Sequence, residues 1–227
     1  MEIKKKRKQF AWMFGLIGII IIVDQIVKIW VKTHMHIGET IPLIGDWCML
    51  NFVENEGFAF GLAFGGTTGK VILSLFRIVA SGALLWFLIT RIRKGIRWSL
   101  LLCLTLVTAG AVGNLIDCCF YGLIFNESSY SVAQMFPPEG GYAPILQGKV
   151  VDMFFFPLFT IDLPQWLPFW GGNRFEFFDA IFNIADAAIT VGAIWLIIDQ
   201  LVKSKKDSKK KQESVQNEAQ NDEKKPC

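Results

Sequence analysis

Asn183 and Asp186 stand three residues apart in the apolar stretch 182–192, a spacing that sets an amide and a carboxylate on one helix face. A carboxylate among lipid-soluble residues is costly, so it must face a partner or a water-filled cavity. Asp152 is a second such acid, alone in the strand-like run Gly148-Lys149-Val150-Val151-Asp152-Met153-Phe154-Phe155-Phe156. The two read as a catalytic pair. Adjacent carboxyls cannot both ionise comfortably, so one keeps a proton while the other acts as base toward water. Such a pair hydrolyses a peptide without a metal, a cofactor or a covalent intermediate, and its pKa values belong to the pair. Other hydrolytic chemistries lack their residues. The chain has no His-Glu-x-x-His, no Gly-x-Ser-x-Gly and no phosphate loop. Its two histidines, His34 and His36, have no third ligand near them, so no metal site is expected.

The elements that must position these acids are membrane spans. The chain is 52% hydrophobic with a mean hydropathy of +0.40, too apolar for a soluble domain of this size. Four stretches, 10–31, 71–90, 98–120 and 180–198, reach the roughly 20 residues that cross a bilayer as helix. The first has a basic start but no small-residue cleavage site after it, so it reads as retained. All but six of the 23 Lys and Arg fall in 4–8, 91–97 and 203–225. The positive-inside rule then puts both termini in the cytoplasm. Basic clusters that flank spans suit anionic lipid, and no nucleic-acid partner is expected.

The expectation is therefore an all-α membrane protein with four transmembrane helices, N-in and C-in, and a small β-rich part outside. Residues 1–9 form a basic tail, 10–200 a membrane domain with outer loops 32–69 and 121–179, and 201–227 a disordered charged tail. Met49–Val53 and the Phe58-Ala59-Phe60-Gly61 alternation read as short strands, with Asn55-Glu56-Gly57 as a tight turn. Ala109, Gly110 and Gly113 give the third helix a small face for close approach. No disulfide is expected from the five cysteines. Pro157, Leu158, Phe159, Trp166, Phe169 and Trp170 suit an interfacial surface.

Topology then gathers the polar residues. Asp24 and Lys28, four apart, and Asn114 and Asp117, three apart, fall near the outer ends of the first and third helices. Alone, Asp24 and Lys28 would equally suit a helix-end acid beside a snorkelling lysine. Asn183 and Asp186 fall near the outer start of the fourth helix, with Asp186 about 8 Å into it. Arg77 lies in the second helix, where it either snorkels outward or pairs with a carboxylate. The inner half is left almost purely apolar, which suits a site open to the outer leaflet and not an ion pathway.

These residues resemble the bacterial lipoprotein signal peptidase family, also called signal peptidase II, over most of residues 10–200. The resemblance rests on five motifs in order: Asp24-x-x-x-Lys28, Asn55-x-Gly57-x-Ala59-Phe60-Gly61, Gly113-Asn114-x-x-Asp117, Val151-Asp152-Met153-Phe154 and Phe182-Asn183-x-Ala185-Asp186-x-x-Ile189. It implies an aspartic endopeptidase of the bacterial inner membrane, working on its outer side. The implied substrate is a prolipoprotein whose lipobox Cys already carries diacylglycerol, cut on the N-terminal side of that Cys. It implies Asp152 and Asp186 as the dyad and Asn55, Asn114 and Asn183 as holders of substrate backbone or of the dyad, with Gly57 in the same motif. It implies Asp24, Lys28 and Asp117 as a supporting polar shell. The implied partners are the lipidated substrate, membrane lipids and a globomycin-type inhibitor. Two departures stand out. The family commonly has Arg directly after the third-helix Asp, where this chain has Cys118, leaving Arg77 and Arg174 as candidate sources of that charge. The outer segments 121–147 and 156–176 are also longer than in compact members. The rival reading is a small non-enzymatic membrane protein, a transporter subunit or assembly factor, that uses the polar cluster for binding.

Overall fold

A computed structural model of the chain describes residues 2–57, 66–157, 159–166, 168, 171–177 and 179–223. Ala59, Phe60 and Gly61 of the expected surface strand, and Leu158, Phe169 and Trp170 of the expected interfacial patch, lie outside the described residues. Among the described residues four helices are long and apolar enough to cross a membrane: Glu2–His34, Gly66–Lys94, Trp98–Ile124 and Ile184–Ser208.

Helix α1 spans Glu2–His34 and starts eight residues before the expected apolar span, because Lys, Arg and Gln continue a helix readily. Gln9 is buried there and donates to the Ile96 carbonyl at 2.9 Å, tying the basic segment to the turn between the next two helices. Helix α2 spans Gly66–Lys94 and α3 spans Trp98–Ile116. A π-helical turn, Asp117–Tyr121, and the short α4, Gly122–Ile124, extend α3.

α3 is the central helix and touches α1, α2 and the last helix, α5, which spans Ile184–Glu223. The expected small face makes the α3–α5 contact. A Cβ on Gly110 would lie 2.1 Å from the Ala185 carbonyl oxygen, and one on Gly113 would lie 3.1 Å from Ala185 Cβ. The inner core is Met13, Leu88, Ile92, Ile96, Leu101 and Leu104.

Two expectations about α5 are corrected. It begins at Ile184, because Ile181–Phe182 form a strand and Asn183 is used as a cap; Asp186 is therefore the helix's third residue, not a residue more than a turn inside. Asn183 consequently lies just before the helix that it was expected to share with Asp186. At the other end the helix continues to Glu223 through the segment expected to be disordered, whose Lys, Glu and Gln are good helix formers.

At one end of the helices lies a sheet in the order β1–β2–β3–β6, all neighbours antiparallel. Its strands are β1 (Thr40–Ile44), β2 (Cys48–Asn55), β3 (Val150–Phe155) and β6 (Ile181–Phe182). A separate hairpin pairs β4 (Phe159–Asp162) with β5 (Arg174–Phe177). Strand alternation sorts the faces: Leu50, Phe52, Val151 and Met153 enter a second core with Val31, Met35, Tyr121 and Phe125, and Asp152 is left on the opposite face.

The long segment before β3 folds back onto the end of α3 because helix C-termini leave carbonyls without partners. Ala143, Leu146 and Gly148 donate to the carbonyls of Gly122, Cys119 and Cys118 at 3.0, 3.3 and 2.9 Å. The chain is thus aligned for β3 two residues later.

Candidate active site

Sheet register brings the first pair together. Val53 lies opposite Asp152 and Asn55 opposite Val150, so Asn55 and Asp152 are diagonal neighbours on one face. Asn55 Nδ2 donates to Asp152 Oδ2 at 3.1 Å. Its Oδ1 accepts the Gly57 amide at 2.8 Å, closing the expected turn, and Gly57 takes a φ of +82° that favours glycine.

Asn183 joins the two acids. It is the N-cap of α5: its carbonyl accepts Ala187 N at 3.0 Å and its Oδ1 accepts Asp186 N at 2.8 Å. Its Nδ2 donates to Asp152 Oδ1 at 2.6 Å and to Asn114 Oδ1 at 3.1 Å. Asn114 Nδ2 in turn donates to Asp186 Oδ1 at 2.7 Å. Two amides therefore bracket two carboxyls. Asp152 is 3% exposed and Asn183 fully buried, while Asp186 and Asn114 are partly exposed and Asn55 is open to solvent.

Beneath them lies a charged layer. Lys28, with no exposed surface, bridges Asp24 at 2.9 Å and Asp117 at 2.8 Å and donates to Asn114 Oδ1 at 2.9 Å. Asp24 Oδ1 accepts the Ala185 amide at 2.9 Å, so α1 caps the start of α5. Asp117 Oδ2 accepts the Val151 amide at 3.3 Å and thereby fixes the strand residue next to Asp152. Each acid of this layer holds a backbone amide adjacent to one of the two upper acids.

The hydrogen-bond partners of Asp152 are neutral amides, and no cation bridges it among the described residues. Burial first, and then the negative charge of Asp186, raise its carboxyl from the ordinary range to about 7, against the opposing pull of Asn55 and Asn183. At neutral pH such a group exchanges its proton readily, as acid–base work requires.

All nine residues singled out in the sequence therefore meet at one end of the bundle. Two groups were missed. Gln25 donates to Asp117 Oδ1 at 2.8 Å and accepts from the Tyr121 hydroxyl at 3.1 Å; both partners are distant in sequence, and nothing in its local spacing points to them. A second buried cluster joins Lys32 to Glu54 and Ser128, and Lys149 to Glu54 and Glu127. Arg77 resolves neither as a free snorkel nor as a carboxylate partner: its Nη1 donates to Cys118 Sγ at 2.7 Å. Arg174, the other candidate cation, lies on β5, whose side chains fall outside what is described.

The chain is similar to known proteins over most of its length. The family described as signal peptidase (SPase) II matches residues 16–202. The chain is 47% identical over 185 residues to a lipoprotein signal peptidase of Porphyromonas gingivalis strain W83, covering 81% of this chain and 80% of that one. It is 33% identical over 195 residues to the lipoprotein signal peptidase of Amoebophilus asiaticus, covering 84% and 78%. Two solved structures, each of a bacterial membrane enzyme obtained by the in meso method, share the fold with a TM-score of 0.56. The one at 2.3 Å resolution is 24% identical and covers 86% of this chain and 90% of its own; the one at 1.9 Å is 26% identical and covers 84% and 93%.

Proposed function

Because the chain belongs to the signal peptidase II family of aspartic peptidases, we propose that Asp152 and Asp186 are its catalytic dyad and that a diacylglyceryl-modified prolipoprotein is its substrate. The scissile bond is the one on the N-terminal side of the lipidated Cys. Both termini lie in the cytoplasm, and the site opens on the outer side of the inner membrane. The charge clusters at 4–8, 91–97 and 203–225 support that orientation.

The reaction follows from a shared proton. The ionised carboxyl takes a proton from water as the water oxygen attacks the scissile carbonyl carbon. The protonated carboxyl donates its hydrogen to the carbonyl oxygen, so the tetrahedral intermediate forms without a bare oxyanion. Collapse of the intermediate breaks the C–N bond. As the C=O re-forms, one hydroxyl of the intermediate returns its proton to the carboxyl that had donated it, while the proton taken from water passes to the departing amine, so the dyad again holds one proton. Asn183 and Asn114 keep the carboxyls in register, and Asn55 fixes the second oxygen of Asp152. The outer turn at Gly57 borders the substrate path. Acyl chains of the substrate lie among the helices at lipid depth, each buried methylene contributing about 0.8 kcal/mol. A globomycin-type peptide would compete for the same groove.

The observation that carries this reading is the Asp152 carboxyl, buried, bonded to amides alone, and raised to about 7 beside a second acid. The relatives support a peptidase and not the non-enzymatic transporter subunit or assembly factor. The test is incubation of purified protein with a diacylglyceryl prolipoprotein, run with wild type, Asp152→Asn and Asp186→Asn. Cleavage by wild type only, with all three folded, is expected. Normal turnover by either variant would remove the dyad assignment.

A further inference from the structure

Lys70, Ser74, Arg77 and Ser81 recur along α2 at spacings of four, three and four, which places them in one stripe on an otherwise apolar helix. Ser74 Oγ donates to the Leu146 carbonyl at 2.7 Å, so this stripe faces the segment that leads into β3. One turn further, the Arg77 guanidinium sits between two parts of the site. On one side Nη1 meets Cys118 Sγ at 2.7 Å, next to Asp117. On the other it lies against Gly57, where an added Cβ would come within 2.6 Å of Nη2 and 3.1 Å of Nη1. From Gly57 the connection to the dyad is short, through Asn55 at 2.8 Å to Asp152 at 3.1 Å.

This cation is underused by the protein itself. A guanidinium has five N–H donors in a fixed plane, and a thiol sulfur is a weak acceptor. Among the described residues Cys118 is its one hydrogen-bond acceptor and no carboxylate pairs with it. Lys28 and Lys32, by contrast, are matched to acids. A charge held within a span without a counter-charge is costly and is kept where it has work to do.

We infer that Arg77 is a substrate-binding residue, which donates to a backbone carbonyl of the substrate segment next to the scissile bond. The inference rests on the peptidase reading above. Cys118 and Gly57 make the room: a larger residue at either place would occupy the guanidinium's position. It also accounts for the departure at 118, because two arginines at 77 and 118 would repel, whereas one at either position serves the same cleft.

The test uses full-length protein in detergent micelles with a diacylglyceryl prolipoprotein, comparing wild type, Arg77→Met, Arg77→Lys and the double variant Arg77→Met with Cys118→Arg. Loss of a charge-assisted bond to substrate should raise KM roughly tenfold to a hundredfold in Arg77→Met, with kcat nearly kept. The unfolding temperature should not fall, since removing an uncompensated charge costs the fold nothing, and the alkaline limb of the pH profile should not move. Arg77→Lys should fall between the two, and the double variant should regain most of the lost affinity. A wild-type KM in Arg77→Met would overturn the inference. So would a fall in kcat accompanied by a lower unfolding temperature or a shifted alkaline limb, because Arg77 would then be a strap on the Gly57 turn. Failure of the double variant to recover would overturn it as well. If wild type itself leaves the precursor uncut, the peptidase reading falls and takes this inference with it.

Discussion

Lys28 and Lys32 lie one turn apart on α1, and each is the centre of a buried charged cluster, yet the two clusters are built on opposite principles. Around Lys32 the charges balance. Glu54 meets Lys32 and Lys149, Glu127 meets Lys149, and Ser128 completes the bonds to Lys32 and Glu54. Burial raises the Glu127 carboxyl, but the bonds from Lys149 and Ser129 outweigh it and hold the group below its ordinary value. Burial likewise works against the Lys149 ammonium, and Glu127 and Glu54 more than offset it. Around Lys28 the acids are in excess. Asp24 and Asp117 claim the ammonium, and Asp152 and Asp186 are left to amides. A balanced cluster fixes structure, whereas a surplus acid must keep a proton. That surplus is why we propose chemistry for one cluster and a scaffold role for the other.

The contrast can be broken from either side. The largest effect should come from the surplus acids: Asp152→Asn or Asp186→Asn should lower turnover by about 10³-fold or more, by the usual worth of positioned acid–base groups. Glu54→Gln, in the balanced cluster, should leave kcat of the folded enzyme within a few-fold. Next comes Lys28→Met, which strands two buried carboxylates and should cost about 3–5 kcal/mol in unfolding experiments in micelles. Lys32→Met leaves Lys149 to answer Glu54 and should cost less, about 1–3 kcal/mol.

A further outcome runs against intuition. The folded-state value of Asp152, about 7, lies above its ordinary value of 3.8, so its favourable contribution is complete below the lower figure and is lost as pH rises through the higher one. Asp152→Asn should therefore unfold at a higher temperature than wild type above pH 7 while being inactive. The smallest effect is a shift of profile. The alkaline limb of wild-type activity should fall near pH 7 as the shared proton leaves. Asn55→Ala removes a donor that favours ionised Asp152, so in kcat measurements that limb should move to higher pH.

Charges inside apolar runs were easy to read because their cost is high wherever the chain folds, and Asp24, Lys28, Asp117 and Asp186 announced the site for that reason. The length of the apolar runs likewise foretold the spans, and Ala109, Gly110 and Gly113 foretold a close approach to the third helix, though not that Ala185 makes it. What was hidden depended on partners distant in sequence. Lys32 looked like a loop cation until Glu54 and Ser128 came to it from 22 and 96 residues away. Gln25 gains meaning only when Asp117 and Tyr121 arrive from α3. The start of α5 was misplaced because Ile181 and Phe182 are as apolar as the helix that follows them; pairing with Phe154 and Phe155 decides in favour of strand.

Asn183 has one more consequence. The same side chain that begins α5 also holds Asp152, and the amides it and Asp24 engage belong to Asp186 and its neighbour Ala185. Fraying of a single helical turn, which elsewhere is a local and inexpensive opening, would here disassemble the whole dyad at once. Deuterium uptake at those two amides would therefore measure what fraction of molecules stands armed at any moment, and a bound precursor or peptide antibiotic should slow it.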